Sequence, residues 1–423
     1  MQEIIFEGIA QELLPQGGCL CEWNQRKFNT WNALPGEKIR AKVLKKNRTL
    51  GKAIAIEILT PSPERIPPIE DHFLSCSPWQ IMNYETEKRE KIALFSRIFQ
   101  NYGIILPKNL DLYSPPQRIK YRNNMEYSIY HERDGKISLA FFARDYRRKL
   151  TLDSCILAHP SITKAATIII NWLNTVDVPY RSIKSLLLRC NSKDQVLAGL
   201  FVTEKNFPHP ETPFPMRSFS IYYSNPKCPA SVIDDTIYSF QPNETLQETL
   251  LQKTFHYGLM SFFQIYPSAF EEALRDMKPY VQGDILDYYS GVGAISISLA
   301  DHVNSAILLD SNHESIHYAQ QNIQQNHIQN YKTILAPAEK MLQHIQQEKT
   351  LIIDPPRSGL HPKVIRRILE ILPQKIIYLS CNPVTCAENL QQILSHYNII
   401  FQRLYNFFPL TPHLECLTVL QIK

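Results

Sequence analysis

Residues 285–293 read Ile-Leu-Asp-Tyr-Tyr-Ser-Gly-Val-Gly, an apolar run that leads into a glycine turn. The pair Gly291 and Gly293 lets a helix start against the preceding strand and lets a ligand approach the backbone closely. Ser296 stands where a third glycine would complete the dinucleotide-binding pattern. This difference weakens the interpretation of the turn as a dinucleotide-binding motif. Because a glycine turn after a strand is a weak signal alone, the fold has to be inferred from the surrounding sequence.

The sequence on both sides of this turn alternates apolar runs with helical stretches. That alternation is typical of a doubly wound α/β sheet, and such sheets bind ligands in the crevice beyond the carboxyl ends of their strands. The residues directly after each strand are therefore candidates for a site. The apolar runs are 285–289, 306–309, 350–353 and 375–379, and the helical stretches are 292–300, 313–327, 361–371 and 384–396.

The second apolar run ends at an acidic residue, Asp310. An acid at this position can accept hydrogen bonds from both hydroxyls of a ribose. Together with the glycine turn it predicts an adenosine-containing ligand. The alternative is that Asp310 caps the helix that begins near His313.

Two further strand ends carry reactive side chains. Asp354 opens the stretch Asp-Pro-Pro-Arg at 354–357, in which the two prolines fix a rigid loop. Cys381 follows the next strand, and Pro383 is suited to begin the next helix. The alternative is a buried, inert thiol, but two acids converge on the same edge, so we interpret Cys381 as a nucleophile.

Glu415 comes just before the last apolar run, 417–422. It is either an exposed acid at the start of a strand or a general base directed at the crevice. A nucleophilic cysteine needs a proton-accepting partner in its reaction, which favours the general base.

The chain divides into three predicted domains. Short apolar runs between turn signals in residues 1–62 predict a small five-stranded β-barrel, and the proline-rich segment after it indicates a linker. Residues 63–255 predict a central α+β domain that binds RNA, with a helix over 80–102. Residues 256–423 hold the α/β pattern.

The length and the composition limit the classes of protein to which the chain can belong. The 423 residues suffice for two to four domains, and 44% hydrophobic with 20% charged residues is ordinary for a globular protein. No apolar run approaches the roughly 18–20 residues of a transmembrane helix, and the first residues lack a signal-peptide pattern. We therefore expect a cytoplasmic monomer that has no membrane partner. Nine irregularly spaced cysteines predict reduced thiols rather than a disulfide framework.

The positive charge of the chain is concentrated in clusters. A net charge of +5 alone does not establish a nucleic-acid partner. Basic residues cluster within 42–52, 118–122 and 144–149, and aromatic residues such as Tyr121 and Tyr146 lie among the last two groups. This mixture suits phosphate contact and base stacking. The alternative is a solvated basic face.

The sequence resembles the RNA 5-methyluridine methyltransferases over nearly its whole length. Its amino terminus is similar to the oligonucleotide-fold TRAM domain of the ribosomal-RNA members, which implies an RNA-binding role for 1–62 and favours 23S ribosomal RNA over the transfer-RNA uridine 54. The stretches that match are 261–264, 287–293, 354–357, 380–383 with Thr385, and 408–415.

The resemblance implies a Rossmann-like catalytic domain that uses S-adenosylmethionine to methylate C5 of a uridine in structured RNA. It implies that Cys381 is the nucleophile and Glu415 the base. It also implies a role in the cofactor and uracil site for Gln264, Tyr289, Gly291, Asp310 and Asp354.

The chain departs from the family pattern at a cluster site. Many members hold a 4Fe–4S cluster on four cysteines, of which this chain retains Cys76 and Cys155, whereas Glu70 and Trp79 occupy the other two positions. A thiolate-ligated cluster needs four ligands, so we predict no iron–sulfur cluster and no metal ligands.

Two departures concern the cofactor. Pro337 stands where the family commonly has an acid that contacts the adenine, and Ala294 replaces a polar residue of the glycine turn. Both predict a lower cofactor affinity.

The reaction explains the residue types. Uracil C5 becomes nucleophilic when a thiolate adds to C6, and one base must then remove the C5 proton. The target base must leave its stack, and Phe263 is a candidate to receive it. Two rivals remain open: an amino-methyltransferase acting on adenine or glutamine, which needs no thiol, and a non-catalytic RNA-binding assembly protein.

Overall fold

The structure is a computed structural model that describes residues 3–144, 148–228 and 230–423. Tyr146 and Arg147, which belong to a predicted basic cluster, lie outside the described residues. The described part of the chain forms four β-sheets of five, seven, two and eight strands.

The amino-terminal sheet contains five strands, and its two ends are hydrogen-bonded to each other. They are β1 (Ile5–Ile9), β2 (Cys19–Trp23), β3 (Arg26–Trp31), β4 (Lys38–Lys45) and β5 (Gly51–Thr60). The order is β1-β4-β5-β3-β2, and Gln11 N, just after β1, donates to Leu20 O of β2 at 2.8 Å. The sequence of β3 does not alternate apolar with polar residues, because the polar residues Asn29 and Thr30 are both buried. The pattern of a half-buried strand is therefore absent there.

A connecting segment follows the barrel. It contains α1 (Phe73–Cys76), α2 (Tyr84–Asn101) and β6 (Leu112–Tyr113). Asn83 caps α2 by accepting a hydrogen bond from Thr86 N at 2.9 Å, so the helix predicted over 80–102 begins at residue 84. The buried face of α2, which includes Phe95 and Phe99, packs in one hydrophobic core with the barrel and the carboxyl-terminal sheet.

The central sheet contains seven strands in the order β13-β12-β11-β10-β7-β8-β9, and one helix, α3, packs against it with Ile162 and Ile169 buried. The elements are β7 (Asn124–His131), β8 (Ile137–Phe142), β9 (Lys149–Leu152), α3 (Pro160–Leu173), β10 (Ile183–Cys190), β11 (Val196–Val202), β12 (Ser218–Tyr223) and β13 (Asp235–Phe240).

The carboxyl-terminal part begins with a hairpin and continues as the α/β sheet. Its elements are β14 (Leu246–Leu250), β15 (Lys253–Tyr257), α4 (Pro267–Met277), β16 (Gly283–Tyr288), α5 (Ala294–Ser298), β17 (Val303–Asp310), α6 (His313–Gln325), β18 (Tyr331–Leu335), β19 (Thr350–Ile353), α7 (Pro362–Ile371), β20 (Lys375–Ser380), α8 (Pro383–Ile393), β21 (Tyr397–Tyr405) and β22 (Glu415–Ile422). Short 3-10 helices lie at Lys278–Tyr280, Ala300–His302, Ala338–Lys340 and Leu342–His344.

The large sheet has the order β18-β17-β16-β19-β20-β22-β21-β6. Strands β16 to β20 are parallel, and β22 is antiparallel to both of its neighbours. The predicted α/β class is confirmed, with the order of strands reversing between β16 and β19. That reversal opens a crevice at the carboxyl end of β16.

Both faces of this sheet are covered. Ile285, Ile352 and Ile377 pack in the core shared with the central sheet. Their neighbours Leu286 and Ile376 pack in the core shared with the barrel and α2. Because successive side chains of a strand point to opposite faces, adjacent apolar residues of these strands contribute to both cores, and the carboxyl edge is left for a ligand.

The domain boundaries differ from those predicted in two places. The boundary at 255/256 falls inside β15, and the β14–β15 hairpin is bonded to α6, where Asn322 Oδ1 accepts from His256 N at 2.7 Å. The segment 84–113, predicted as central, joins the carboxyl-terminal sheet through β6, which pairs with β21. Both differences arise from long-range pairings.

Candidate active site

The glycine turn after β16 holds three residues in the left-handed backbone region. Tyr289, Gly291 and Gly293 have φ angles of +64°, +55° and +86°. That conformation is strained for tyrosine, and such strain concentrates at functional sites. A Cβ on Gly293 would meet Leu308 Cδ2 at 3.0 Å, whereas a Cβ on Gly291 would have nothing within 4 Å. The backbone at Gly291 therefore borders open space that a ligand can enter.

Asp310 is fixed against this turn. Its Oδ2 accepts from Gly291 N at 2.9 Å and its Oδ1 from Asn312 N at 2.8 Å. The alternative that Asp310 caps the next helix is wrong, because the Asn312 side chain caps α6 by accepting from Ser315 N at 2.9 Å. Each oxygen of the Asp310 carboxylate keeps a second lone pair, so the acid can accept two hydroxyl groups.

A small cavity lies between the glycine turn and the loop 261–264. Gln264, Tyr289, Gly291 and Asp354 all line it. The loop is held from the central sheet, because Asn123 Nδ2 donates to Gln264 O at 2.9 Å. The structure thus brings together four of the five cofactor-site residues named from the sequence, and the fifth, Asp310, is bonded to the same turn.

Phe263 does not face solvent as the expected base-receiving ring would. It is 2% exposed and stacks on Tyr257 with ring centroids 4.3 Å apart. Its neighbour Phe262 is 61% exposed, and both rings line the cavity. The role of Phe263 as the base-receiving ring stays a prediction, and the more exposed Phe262 is a second candidate.

The acidic residue of the glycine turn lies beneath the site. Asp287 is fully buried, accepts a hydrogen bond from the Ser296 hydroxyl through Oδ2, and has no partner for Oδ1 among the described residues. Burial raises the pKa of Asp287 to about 7. The bond to Ser296 fixes the first turn of α5 against β16, so Ser296 supports the turn where a third glycine would otherwise stand.

The loop after β19 is tied to the start of α8. Asn382, the N-cap of α8, donates from Nδ2 to Arg357 O at 2.8 Å. Asn389 Oδ1, about two helical turns further on, accepts from Leu360 N at 2.9 Å. The helix that begins beside Cys381 therefore also positions the loop that carries Asp354.

Strand register brings Cys381 and Glu415 to the same level. β20 and β22 are antiparallel, and Ser380 pairs with Cys416. The residue after Ser380 is therefore level with the residue before Cys416, on strands that lie about 4.8 Å apart. Asp354 follows β19, on the other side of β20.

Burial raises the pKa of three groups at this edge. Burial, and then Asp354, raise the pKa of Glu415 well above its usual range, and its Oε2 accepts no hydrogen bond from the described residues. Burial raises the pKa of Asp354 to about 7. Burial, and then the two acids, raise the pKa of Cys381 to about 12, which Arg357 opposes. At neutral pH the Cys381 thiol of the free protein is therefore protonated, and burial favours the neutral form of the Glu415 carboxyl.

A second cavity, of about 330 Å³, opens beside Cys381. The barrel contributes Pro15 and Gln16 to its wall. The barrel loop is seated closely, since Gly17 has a φ of +93° and a Cβ there would meet Pro412 Cγ at 2.8 Å. The sequence did not reveal Pro15 and Gln16 as site residues, because a turn sequence carries no signal of the domain that it will contact.

The basic clusters differ in their surroundings. Lys45, Lys46 and Arg48 lie on the exposed turn between β4 and β5. By contrast, Arg118 is paired with Glu87 at 3.0 Å. The turn of the barrel is therefore the better candidate for phosphate contact, while the second cluster is partly used inside the protein.

Residues 267–423 match the family model described as tRNA (Uracil-5-)-methyltransferase. The matched residues form the carboxyl-terminal α/β part of the chain. Similar proteins include two described as uncharacterized RNA methyltransferases. One, from Synechocystis, is 24% identical over 96% of this chain and 93% of its own length. The other, from Protochlamydia amoebophila, is 26% identical over 92% of this chain and 98% of its own length.

A solved structure extends the comparison to the other domains. The tRNA (uracil-54, C5)-methyltransferase of Pyrococcus abyssi, in complex with S-adenosyl-L-homocysteine, has a TM-score of 0.75 and 23% identity, and the match covers 98% of this chain and 100% of that chain. At this identity the similarity establishes the fold, and it includes the barrel and the central sheet. Among the described helices of this chain, none is long and apolar enough to cross a membrane.

Proposed function

We propose that this protein transfers a methyl group from S-adenosylmethionine to C5 of a uridine in structured RNA, with Cys381 as nucleophile and Glu415 as base. The match of residues 267–423 to the family model supports the reaction class. The observation that carries the mechanism is the register that makes Cys381 and Glu415 level at neighbouring strand ends. Methyl transfer to an amino group needs no thiol, so this placement favours the uracil reaction over the amino-methyltransferase alternative.

The site residues fit an adenosyl ligand. Gly291 borders open space, and Asp310 is held beside it with lone pairs free for two hydroxyls. Gln264, Tyr289 and Asp354 line the adjoining cavity. S-adenosylmethionine, when bound, supplies a methyl carbon attached to a positively charged sulfur.

In the first chemical steps, the Cys381 sulfur forms a bond to uracil C6. The thiol proton leaves to solvent through the cavity beside Cys381, and Arg357 lowers the thiol pKa toward this ionisation. The π electrons of the C5–C6 bond move onto O4 as an enolate, so that C5 becomes nucleophilic. C5 then bonds to the methyl carbon, and the electron pair of the broken sulfur–methyl bond remains on the departing sulfur.

In the last step, Glu415 takes the proton from C5. The electrons of the C5–H bond re-form the C5–C6 double bond, and the bond between C6 and the Cys381 sulfur breaks to return a thiolate. Glu415 must be ionised for this step, whereas burial raises its pKa in the free protein. A positive charge nearby lowers the pKa of an acid, so we expect the reacting complex to favour the ionised form of Glu415.

The RNA class needs a direct test. We expected 23S ribosomal RNA because of the amino-terminal barrel and its resemblance to a TRAM domain. The Pyrococcus abyssi enzyme, which is named for uracil 54 of transfer RNA, shares the fold over 98% of this chain. The barrel therefore supports neither RNA class over the other, and the proposal of ribosomal RNA rests on the sequence resemblance alone.

A fluorinated substrate tests the covalent mechanism. RNA that contains 5-fluorouridine has no C5 proton for Glu415 to remove, so the adduct should persist through denaturing electrophoresis. It should carry label from the cofactor's methyl group, and mass spectrometry should locate the linked nucleotide on Cys381. Ribosomal and transfer RNA, each prepared without the modification, form separate arms.

The controls use two cysteines of similar exposure. Cys381→Ala should give no adduct and no methyl transfer while it still binds RNA and S-adenosylhomocysteine. Cys228→Ala should behave as the unsubstituted protein, because Cys228 is also a half-buried free thiol but lies in the central domain. Methyl transfer by Cys381→Ala at a tenth of the normal rate would overturn the proposal. Binding of RNA without methyl transfer by the unsubstituted protein would instead support the non-catalytic alternative.

A further inference from the structure

Four side chains of metal-ligand type converge between α1 and the loop after β9. A carboxylate oxygen of Glu70, a ring nitrogen of His72 and the sulfurs of Cys76 and Cys155 all lie within 4.8 Å of one another. Trp79 is not part of this group, because its Nε1 donates to Gly17 O at 3.0 Å in the barrel. The sequence-based expectation of no metal ligands compared cysteines only and therefore missed His72.

The group contains a buried polar atom without a partner. His72 is 9% exposed, and its Nε2 makes no hydrogen bond with the described residues, although it lies 3.3 Å from Glu70 Oε2. Buried polar side-chain atoms in native proteins normally have a partner. A cation between the ring nitrogen and the carboxylate would satisfy both.

Neighbouring residues hold the Glu70 carboxylate in place, as ligands of a metal site usually are held. Its Oε1 accepts from Ile156 N at 2.5 Å, and its Oε2 from Gln80 Nε2 at 3.3 Å. Gln80 is anchored in turn, because its Oε1 accepts from Ile69 N at 2.8 Å. These contacts leave lone pairs of the carboxylate for the group of ligand atoms.

The spacing and the chemistry of the ligands indicate one ion. Around a single tetrahedral Zn²⁺, bonds of about 2.0–2.3 Å place the ligand atoms roughly 3.3–3.8 Å from one another. The separations of up to 4.8 Å contract to that range with a shift of about 1 Å. A 4Fe–4S cluster would place each ligand on a different iron, further apart, and would have only two thiolates. Two sulfurs, one nitrogen and one oxygen suit Zn²⁺, which binds thiolates and imidazole more strongly than Fe²⁺ does.

An ion can reach the site from solvent. A cavity of about 550 Å³ is lined by Glu70 and His72 together with the strand and loop 149–154. Cys155 lies directly after this loop. A site with ligands on one side of an open cavity meets the requirement for an entry path.

We propose that Glu70, His72, Cys76 and Cys155 bind a single Zn²⁺ ion in tetrahedral coordination. The ion joins α1 to the loop 155–159, a link that spans 79 residues from Cys76 to Cys155. That loop is bonded to the basic stretch 118–122, since Lys120 N donates to Ile156 O at 2.7 Å. The ion thereby fixes this basic stretch relative to the connecting segment. The proposal does not rest on the proposed methyl transfer.

Cobalt titration of the metal-free, full-length protein tests the proposal. One equivalent of Co²⁺ should produce the visible absorption of a tetrahedral ion and the near-ultraviolet absorption of cobalt–thiolate bonds. One equivalent of Zn²⁺ should then remove both signals, and Zn²⁺ should raise the thermal unfolding temperature. Protein purified without chelators should contain one zinc per chain.

Substitutions separate ligation from folding. Cys76→Ser and His72→Asn should each weaken Co²⁺ binding by at least about tenfold, and Gln80→Leu, which retains all four ligands, should weaken it about 10- to 100-fold. Cys228→Ser should bind as the unsubstituted protein does. Circular dichroism and S-adenosylhomocysteine binding verify that each variant is folded.

Three results would overturn the proposal. The first is the absence of saturable Co²⁺ or Zn²⁺ binding at one equivalent. The second is unchanged binding by folded Cys76→Ser and His72→Asn. The third is about four irons with sulfide per chain after anaerobic reconstitution, which would also overturn the prediction that the chain holds no iron–sulfur cluster.

Discussion

Glu415→Gln should trap the covalent complex between the protein and its RNA. Thiol addition and methyl transfer both precede removal of the C5 proton, so loss of the base leaves a methylated uracil bonded to Cys381. General base catalysis contributes about 10²- to 10⁴-fold, which is about 3–5 kcal/mol of activation free energy at 1.36 kcal/mol per tenfold. Turnover should fall by that factor while the first covalent steps continue.

The substitution should leave the fold intact. Burial and the neighbouring Asp354 raise the pKa of Glu415, and its Oε2 accepts no hydrogen bond from the described residues. Glutamine has the same shape and removes no hydrogen bond of Oε2, so the free energy of unfolding at pH 7 should change by no more than about 1 kcal/mol. Denaturant unfolding measures this change independently of activity.

The assay is denaturing electrophoresis of Glu415→Gln with RNA and cofactor labelled in the methyl group. A labelled band that contains both protein and RNA should accumulate, and the double variant with Cys381→Ala should lack it. Full turnover would show that another group is the base. A folded variant that forms no adduct would refute the order of steps and assign Glu415 an earlier role.

Three further outcomes follow from the site. The rate of alkylation of Cys381 in the free protein should rise about tenfold per pH unit up to pH 9 without a plateau, because the pKa of the thiol is about 12. At fixed pH, S-adenosylmethionine should speed the alkylation, and S-adenosylhomocysteine, whose sulfur is uncharged, should not. Asp287 is neutral below its raised pKa of about 7. The stability that its protonated form contributes, relative to Asp287→Asn, should therefore be lost as the pH rises from about 4 to 7. If urea unfolding shows the same difference in free energy between the two proteins at both pH values, the prediction is wrong. Asp310→Asn should weaken S-adenosylhomocysteine binding about 10- to 100-fold in calorimetry, since hydrogen bonds to a charged acceptor are lost; unchanged affinity would remove Asp310 from the cofactor site.

The α/β sheet was predictable from local sequence because its strands are buried on both faces. Ile285, Ile352 and Ile377 lie in continuous apolar runs, which is the pattern of a parallel sheet covered on both sides. β18 and β21 have no apolar run over their full length, and both carry exposed residues. β18 forms one edge of the sheet, and β21 lies next to the strand at the opposite edge. Apolar content alone does not mark such strands.

The candidate site was predictable only where it follows strand ends. Asp310, Asp354 and Cys381 each follow a predicted parallel strand, so one rule about the carboxyl edge of a sheet found all three. The approach of Asp354 and Cys381 to Glu415 depends on the antiparallel insertion of β22, a long-range pairing without a local signal. The position of Gln16 depends on domain packing in the same way.

The zinc ligands show a third kind of limit. Glu70, His72 and Cys76 occur at spacings that also suit an ordinary loop and a short helix, and Cys155 is far away in the sequence. Only the fold places the four ligand atoms together. Comparison of cysteine positions alone could not find a site with two other ligand types.

The most direct test of the central claim is mass spectrometry of nucleosides from RNA incubated with the purified protein and S-adenosylmethionine. The transferred methyl group should appear as 5-methyluridine at one position of ribosomal or transfer RNA, and Cys381→Ala should produce none. A methyl group found on adenine, or 5-methyluridine formed equally well by Cys381→Ala, would contradict the proposed reaction.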